Sequence, residues 1–456
     1  MRYIAAANPP GAPMTGSFAG AFRAFLTAFL LLGSLIGMPG AAAAAEAPNW
    51  RSLEKIYRQL HSSPELSNVE NQTAKFMAEH FRKLGFTVTE GIGGTGVVGV
   101  LRNGSGPTLM LRADMDALPV LEETGAKFAS KVRMKNSAGV EQPVMHACGH
   151  DIHMTSLIGT LQRLVSIKDS WSGTLIAIAQ PAEEVGQGAR NMLADGLFTK
   201  FPRPDYNLAL HVSSALPSDS IAYTPGYALA NVDSVDIIVH GVGGHGAYPN
   251  TTKDPVVLAS SIVGSLQTIV SRELSPLTPA VVTVGAFHAG HKHNVISNRA
   301  HLQLTVRSYS QETRQQIFSA IRRIVRGQGM AAGLPEDLLP EVKVQDEYTP
   351  SAFNNPELAE RLAGVWRDKM GAAKTVKVDP VMGGEDFGRY GQVEPKIPSV
   401  IFWLGGVSRK TFEKAMQTQT PLPSLHSSTF LPDYKTSLRT GVEATTAAAL
   451  ELLGDE

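Results

Sequence analysis

The sequence predicts an α/β fold: a discontinuous domain with a mixed, largely parallel sheet and helices on both faces, into which a smaller α+β, ferredoxin-like unit is inserted. Three observations carry this. Short apolar runs bounded by turn residues alternate with helix-period segments over the first half of the chain, as in layered α/β folds. From about residue 232 the runs alternate apolar and polar instead, in the order β-α-β-β-α-β over about 120 residues, the pattern of a split βαβ unit. From residue 357 onward the chain returns to helix, then the buried strand VIFWLGG, then helix. The expected boundaries are 1–45 for a leader, 46–229 for the first part of the larger domain, 230–350 for the insert and 351–456 for the second part.

The elements follow in order. Arg2 and Arg23 are the only charged side chains before Glu46, and residues 24–38 form an apolar run. That run is short of the roughly twenty residues a membrane span needs. It leads into the small-residue stretch 41–45, which offers an A-x-A cleavage site. A secretory signal peptide is therefore expected, with the mature protein exported to the periplasm or secreted, and not stably inserted in a membrane. Residues 51–62 and 70–84 read as amphipathic helices, the second closed by Gly85. Residues 96–101, 108–111, 175–180 and 208–211 read as buried strands, with helices at 154–165 and 189–195 between them. In such folds functional groups gather at the C-terminal ends of parallel strands. In the insert, VDSVDIIVHG, AVVTVGAFHAG, RAHLQLTVRSY and EVKVQDEY read as strands, and 255–271 and 312–327 as helices.

Composition excludes several classes. The 456 residues carry 41 Lys+Arg against 41 Asp+Glu, so the basic footprint of most nucleic-acid binders is missing. Hydrophobic content of 43% is that of a globular chain, not a disordered one. A single cysteine, Cys148, excludes an intrachain disulfide framework and a Cys-rich zinc module.

Four groups of residues carry chemistry. His146, Cys148, His150, Asp151 and His153 lie within eight residues, and thiolate with imidazole suits zinc and similar borderline metals. Cys148 and His150, two apart, share one side of an extended segment; alone, Cys148 would read as a structural core thiol. Glu183 and Glu184 follow the apolar run LIAIAQ. Adjacent carboxylates there repel unless a cation sits beside them, and one can ligate while the other accepts a proton from water; such pairs are also common on surfaces. His211 and His426 stand alone, where a core histidine is the ordinary reading. Asp114 and Asp116 follow the run TLMLR and read as ligands, as residues orienting a His, or as turn caps. His288, His291 and His293 read as loop and surface residues.

LRADMDALP, HACGHDIH, QPAEEVGQGA, HGVGGHGAYP, HNVISNRA, MGGEDFGRY and LHSS occur in that order. Together they resemble the M20 family of metallo-amidohydrolases, in the branch with hippurate hydrolases and indoleacetyl-amino-acid hydrolases. The resemblance spans residues 112–427. It implies an α/β catalytic domain, an inserted lid that dimerises, and two divalent ions per subunit, of zinc, manganese, cobalt or nickel. It implies Cys148 as a bridging ligand, His150, Glu184, His211 and His426 as the other ligands, and Glu183 as general base. Asp114 matches the residue that orients the ligands, with His146 and His153 behind them, and Arg112 stands where peptidase branches have a metal-binding His. His245 matches a position that contacts the reacting carbonyl, often from the partner subunit. Asn294 and Arg307 resemble the pair that grips the substrate's carboxylate, and Gly383, Gly384 and Glu385 match the loop facing them. Ser297, Gly384 and Ser428 depart from the usual residues at their positions and bear on substrate preference. The implied activity is hydrolysis of N-acyl or N-aroyl amino acids. A dipeptidase or carboxypeptidase of the same family is the alternative among enzymes, and a non-catalytic metal- or solute-binding envelope protein the alternative outside them.

Overall fold

The computed structural model describes residues 48–454 except 137; the predicted leader lies outside the described residues. The main sheet has eight strands in the spatial order Thr87–Ile92, Gly96–Asn103, Gly173–Gln180, Thr108–Asp114, Tyr206–Pro217, Ser399–Val407, Ile221–Tyr223, Thr375–Lys377. The four central strands, 173–180 through 399–407 in that order, are mutually parallel. The first two strands pair antiparallel as a hairpin on one edge, and Ile221–Tyr223 runs antiparallel to Ser399–Val407. The sheet is thus mixed around a parallel centre.

Burial on both faces explains the apolar runs. Every residue of Gly173–Gln180 is buried. One face packs Leu109, Leu175 and Phe402 against the helices Trp50–Ser62, His150–Ser166, Pro356–Met370 and Tyr434–Leu453. The other packs Met110, Ile178 and Ile401 against Met192, Leu197 and Tyr390 from the short helices Gly188–Ala194, Leu197–Lys200 and Gly388–Gly391. The strand expected at 208–211 runs from Tyr206 to Pro217, because its pairing with Ser399–Val407 continues past the end of its apolar run.

Residues 231–344 build a second, four-stranded sheet, ordered Val281–Ala289, Arg299–Ser308, Asn231–His240, Glu341–Val344, antiparallel throughout. The helices Pro255–Thr268 and Gln311–Ala331 cover one face around Ile237, Ile262, Leu302 and Ile321. The opposite face is polar, with His301 and Gln303 meeting Asp236, which accounts for the alternation in its strands. The helix expected to reach residue 271 ends at Thr268 and passes into a π turn, Ile269–Glu273. The last strand ends at Val344, after which Thr349 pairs with Val232 on the way back to the main sheet. Among the described residues, no helix is long and apolar enough to cross a membrane.

Candidate functional site

The C-terminal ends of the central strands bring the singled-out residues together. In register, Asp114 lies beside Gln180 and His211 beside Trp403. Cys148 and His150 flank Gly149, whose φ of +82° turns the chain into the helix His150–Ser166. A Cβ at Gly149 would stand 2.4 Å from Val212 Cγ1, so only glycine fits. Cys148 Sγ lies 3.5 Å from His211 Nε2 and 3.3 Å from His426 Nε2. His426 has φ of +64°, and its backbone N–H donates to Ala147 O at 2.9 Å.

Two sets of potential ligands share the single thiol. Cys148, His150 and His211 form one; Cys148, Glu184 and His426 form the other; within each, the ligand atoms lie within 4.8 Å of one another. His150 Nδ1 donates to Asp116 O at 2.8 Å, which leaves Nε2 as the coordinating nitrogen. His150 Nε2 and Glu184 Oε1 are buried and have no hydrogen-bond partner. Such orphaned atoms are costly unless something else binds them, and a divalent cation between the two sets fits them. Burial alone would lower the His150 pKa, but Asp114, Asp116 and Cys148 outweigh it and hold a proton on the ring. Burial, then the Glu184 charge, push the Cys148 thiol well up. Metal binding must displace both protons.

Behind the ligands lies a closed polar network. His153 Nε2 accepts from Val212 N at 2.8 Å, so its Nδ1 donates to Asp114 Oδ1 at 2.6 Å. Both ring nitrogens are used and His153 is a supporting residue. The buried Arg112 guanidinium reaches Asp114 Oδ2 at 2.7 Å, Glu385 Oε1 at 2.8 Å, Asp386 Oδ1 at 3.2 Å and Gln180 Oε1 at 3.0 Å. Burial opposes ionisation of Asp114, yet Arg112 and the two histidines hold its carboxyl well below the usual range. Glu183 is driven well up, first by burial and then by Glu385, Glu184 and Asp386; its Oε2 is 3.9 Å from His150 Nε2. Glu184 is raised to about 7, chiefly by burial. His146 is buried with both ring nitrogens unpartnered and stands in neither ligand set.

A cavity of about 760 Å³ opens over this cluster. Glu183, Glu184, Cys148, His211 and His426 form its floor, and Gly383, Gly384, Glu385 and Arg307 line it further out. Arg307, from strand Arg299–Ser308 of the second sheet, donates to Met382 O at 2.9 Å. Glu385 reaches the lining with its carboxylate already held by Arg112 and by Phe387 N. A Cβ at Gly384 would stand 2.5 Å from Val232 Cγ2, which accounts for glycine there. His245 and Asn294 do not line the cavity. They lie together elsewhere on the insert, where Gly244–His245 pairs with Val295–Ile296 and Gly246 N donates to Asn294 O. His288, His291 and His293 are exposed and stand in no ligand set among the described residues. Sequence reasoning missed the bonds made by Arg112 and the supporting residues His61, Glu70 and Asp386, whose partners are distant in the chain.

Residues 110–423 match the family model described as "Peptidase family M20/M25/M40". The chain belongs to this family. It is 38% identical to a thermostable carboxypeptidase 2 of Saccharolobus solfataricus over 369 residues, covering 80% of this chain and 88% of that protein. It is 40% identical to a hippurate hydrolase of Campylobacter jejuni over 340 residues, 74% of this chain and 84% of that protein. In structure it is similar to the Bacillus subtilis YXEP protein, described as a dinuclear metal binding peptidase from the M20 family. The TM-score is 0.71 at 29% identity, over 89% of this chain and 98% of that one. As an M20 family member the chain is a hydrolase acting on amide bonds.

Proposed function

We propose that this M20 hydrolase is an exported amidohydrolase that binds two divalent ions and cleaves N-acyl or N-aroyl amino acids. The observation that carries the reading is the sharing of one thiol by two ligand sets, with Glu183 beside them, grouped with His150 and Glu184 but not with Cys148. Cys148, His150 and His211 would hold one ion, and Cys148, Glu184 and His426 the other. Bound divalent ions would lower the pKa of a water molecule and polarise an amide carbonyl.

The remaining steps belong to the protein's own groups. Glu183 takes the proton from the attacking water and passes it to the leaving amine. Asp114, locked between Arg112 and His153, stands behind His150 with its Oδ2 3.6 Å from His150 Nε2. Arg307 faces the cavity with a guanidinium fit for the substrate's carboxylate, and Leu216, Leu229, Val381 and Leu425 give an apolar wall for the acyl group. His245 and Asn294, away from their own chain's cavity, would act in a homodimer joined through the insert, with His245 donating to the oxyanion of the partner's site. Export rests on the 1–45 leader alone.

The test is hydrolysis of N-benzoyl-glycine and of a free-amine dipeptide by metal-loaded wild type and Glu183→Gln. Wild type should cleave the first, and the variant should lose at least about 10²-fold in kcat with its metal retained. Preferential cleavage of the dipeptide would move the chain to the dipeptidase reading, and undiminished turnover by Glu183→Gln would overturn the base.

A further inference from the structure

We propose that Glu70 and Asp116 are positioning residues: together they fix the Glu183–Glu184 turn, and Asp116 locks that turn to His150. The proposal rests on the assignment of Glu183 and Glu184 above. After the strand Gly173–Gln180 the chain passes through Pro181 and Ala182, and Ala182 has φ of +51°. A non-glycine residue in the left-handed region is held there by its surroundings or not at all. The Ala182 carbonyl accepts from Gln187 N at 3.0 Å and Gly188 N at 3.1 Å, and two buried carboxylates hold the amides on either side of Glu183. Ala182 N donates to Glu70 Oε1 at 2.8 Å, and Glu184 N donates to Asp116 Oδ2 at 3.0 Å. The two amides bracketing Glu183 are thus each gripped by an acid, and both acids are 0% exposed.

Ordinary roles do not account for these acids. Glu70 precedes the helix Asn71–Lys83, yet its side chain makes no capping bond to that helix. It accepts instead from Asn68 N at 2.8 Å and, through Oε2, from Thr95 Oγ1 at 2.6 Å, so both carboxylate oxygens are spent holding other segments against the turn. Asp116 Oδ2 also accepts from Ser67 Oγ at 2.6 Å, while its backbone carbonyl accepts from His150 Nδ1 at 2.8 Å. Asp116 therefore contacts one residue from each ligand set, His150 through its main chain and Glu184 through its side chain. Neither acid contacts the reacting atoms; each acts through the groups it holds.

The experiment compares metal-loaded wild type, Glu70→Leu, Glu70→Gln and Asp116→Ala by three readouts. These are amide hydrogen exchange of a peptide covering 178–186, zinc competition titration, and kcat and KM on N-benzoyl-glycine. Glu70→Leu should speed exchange over the turn at least tenfold and lower kcat at least tenfold, with KM within about twofold and both ions still bound. Glu70→Gln, which keeps the acceptor oxygen, should restore both exchange and kcat. Asp116→Ala, which removes the acceptor and leaves the main-chain bond to His150, should weaken zinc binding by about 10- to 100-fold. If Glu70→Leu does not fold, Thr95→Val replaces it, with faster exchange over the turn and a severalfold fall in kcat at unchanged KM. Wild-type exchange and kcat in Glu70→Leu, or in Thr95→Val where that replaces it, would overturn the proposal, as would wild-type zinc affinity in Asp116→Ala. If wild type does not cleave N-benzoyl-glycine, the substrate reading fails, while exchange and zinc titration still decide the positioning role.

Discussion

His61 is enclosed by two carboxylates, and its protonation should set how stability depends on alkaline pH. Its Nδ1 lies 2.6 Å from Asp151 Oδ2 and its Nε2 3.0 Å from Glu122 Oε1, and all three side chains are fully buried. Both ring nitrogens face acceptors, so the ring is held as the imidazolium. Burial alone would lower its pKa, but the bonds to Asp151 and Glu122 outweigh this and raise it from 6.5 to about 9. A folded-state value above the unfolded one gives stability that is complete below pH 6.5 and lost as pH rises through about 9. At roughly 1.4 kcal/mol per pH unit the loss is about 3 kcal/mol over that window. The assay is urea unfolding of metal-free wild type and His61→Gln at pH 6.5, 7.5 and 9. The variant should be the less stable at pH 6.5, and the gap should narrow by about 2.5 kcal/mol at pH 9, where about half of the wild-type rings have lost the proton. A gap that stayed constant to within about 0.5 kcal/mol would refute the imidazolium.

Two further outcomes follow from the polar network and the backbone. Arg112→Met should cost about 3–5 kcal/mol in denaturant unfolding, because it strands Asp114, Glu385 and Asp386 without their buried counter-charge; a cost below about 1 kcal/mol would show that the network tolerates its absence. Gly149→Ala should destabilise by about 1–3 kcal/mol and lower metal occupancy, since the new Cβ meets Val212 in a left-handed turn between two ligands. Wild-type stability and metal content there would contradict the tight turn.

Much of the fold was legible because burial on both faces writes itself into the sequence. The central strands are unbroken apolar runs, and the second sheet, open on one face, alternates. The residues brought together around Cys148 were legible too, since Cys, His and Glu at the ends of apolar strands have few bland explanations when clustered. What stayed hidden depends on partners far along the chain. His61 sits where helix periodicity expects only another turn of an amphipathic helix, and nothing local announces Asp151, ninety residues on. Glu70 reads as the first residue of the helix expected at 70–84, yet its bonds reach Thr95 and Ala182. The direction of the edge strands was hidden as well, because Thr87–Ile92 and Gly96–Asn103 carry no mark of antiparallel pairing beyond the glycines between them. The positions of His245 and Asn294 away from the cavity follow from the path of the insert, which short motifs do not encode.

Ion stoichiometry in Cys148→Ala tests the central claim most directly. A thiol common to both ligand sets predicts two zinc ions per chain in wild type and weakened binding of both in the variant, measured by elemental analysis with a competition titration. One ion lost while the other keeps its wild-type affinity would contradict a shared ligand, and the two-ion centre with it.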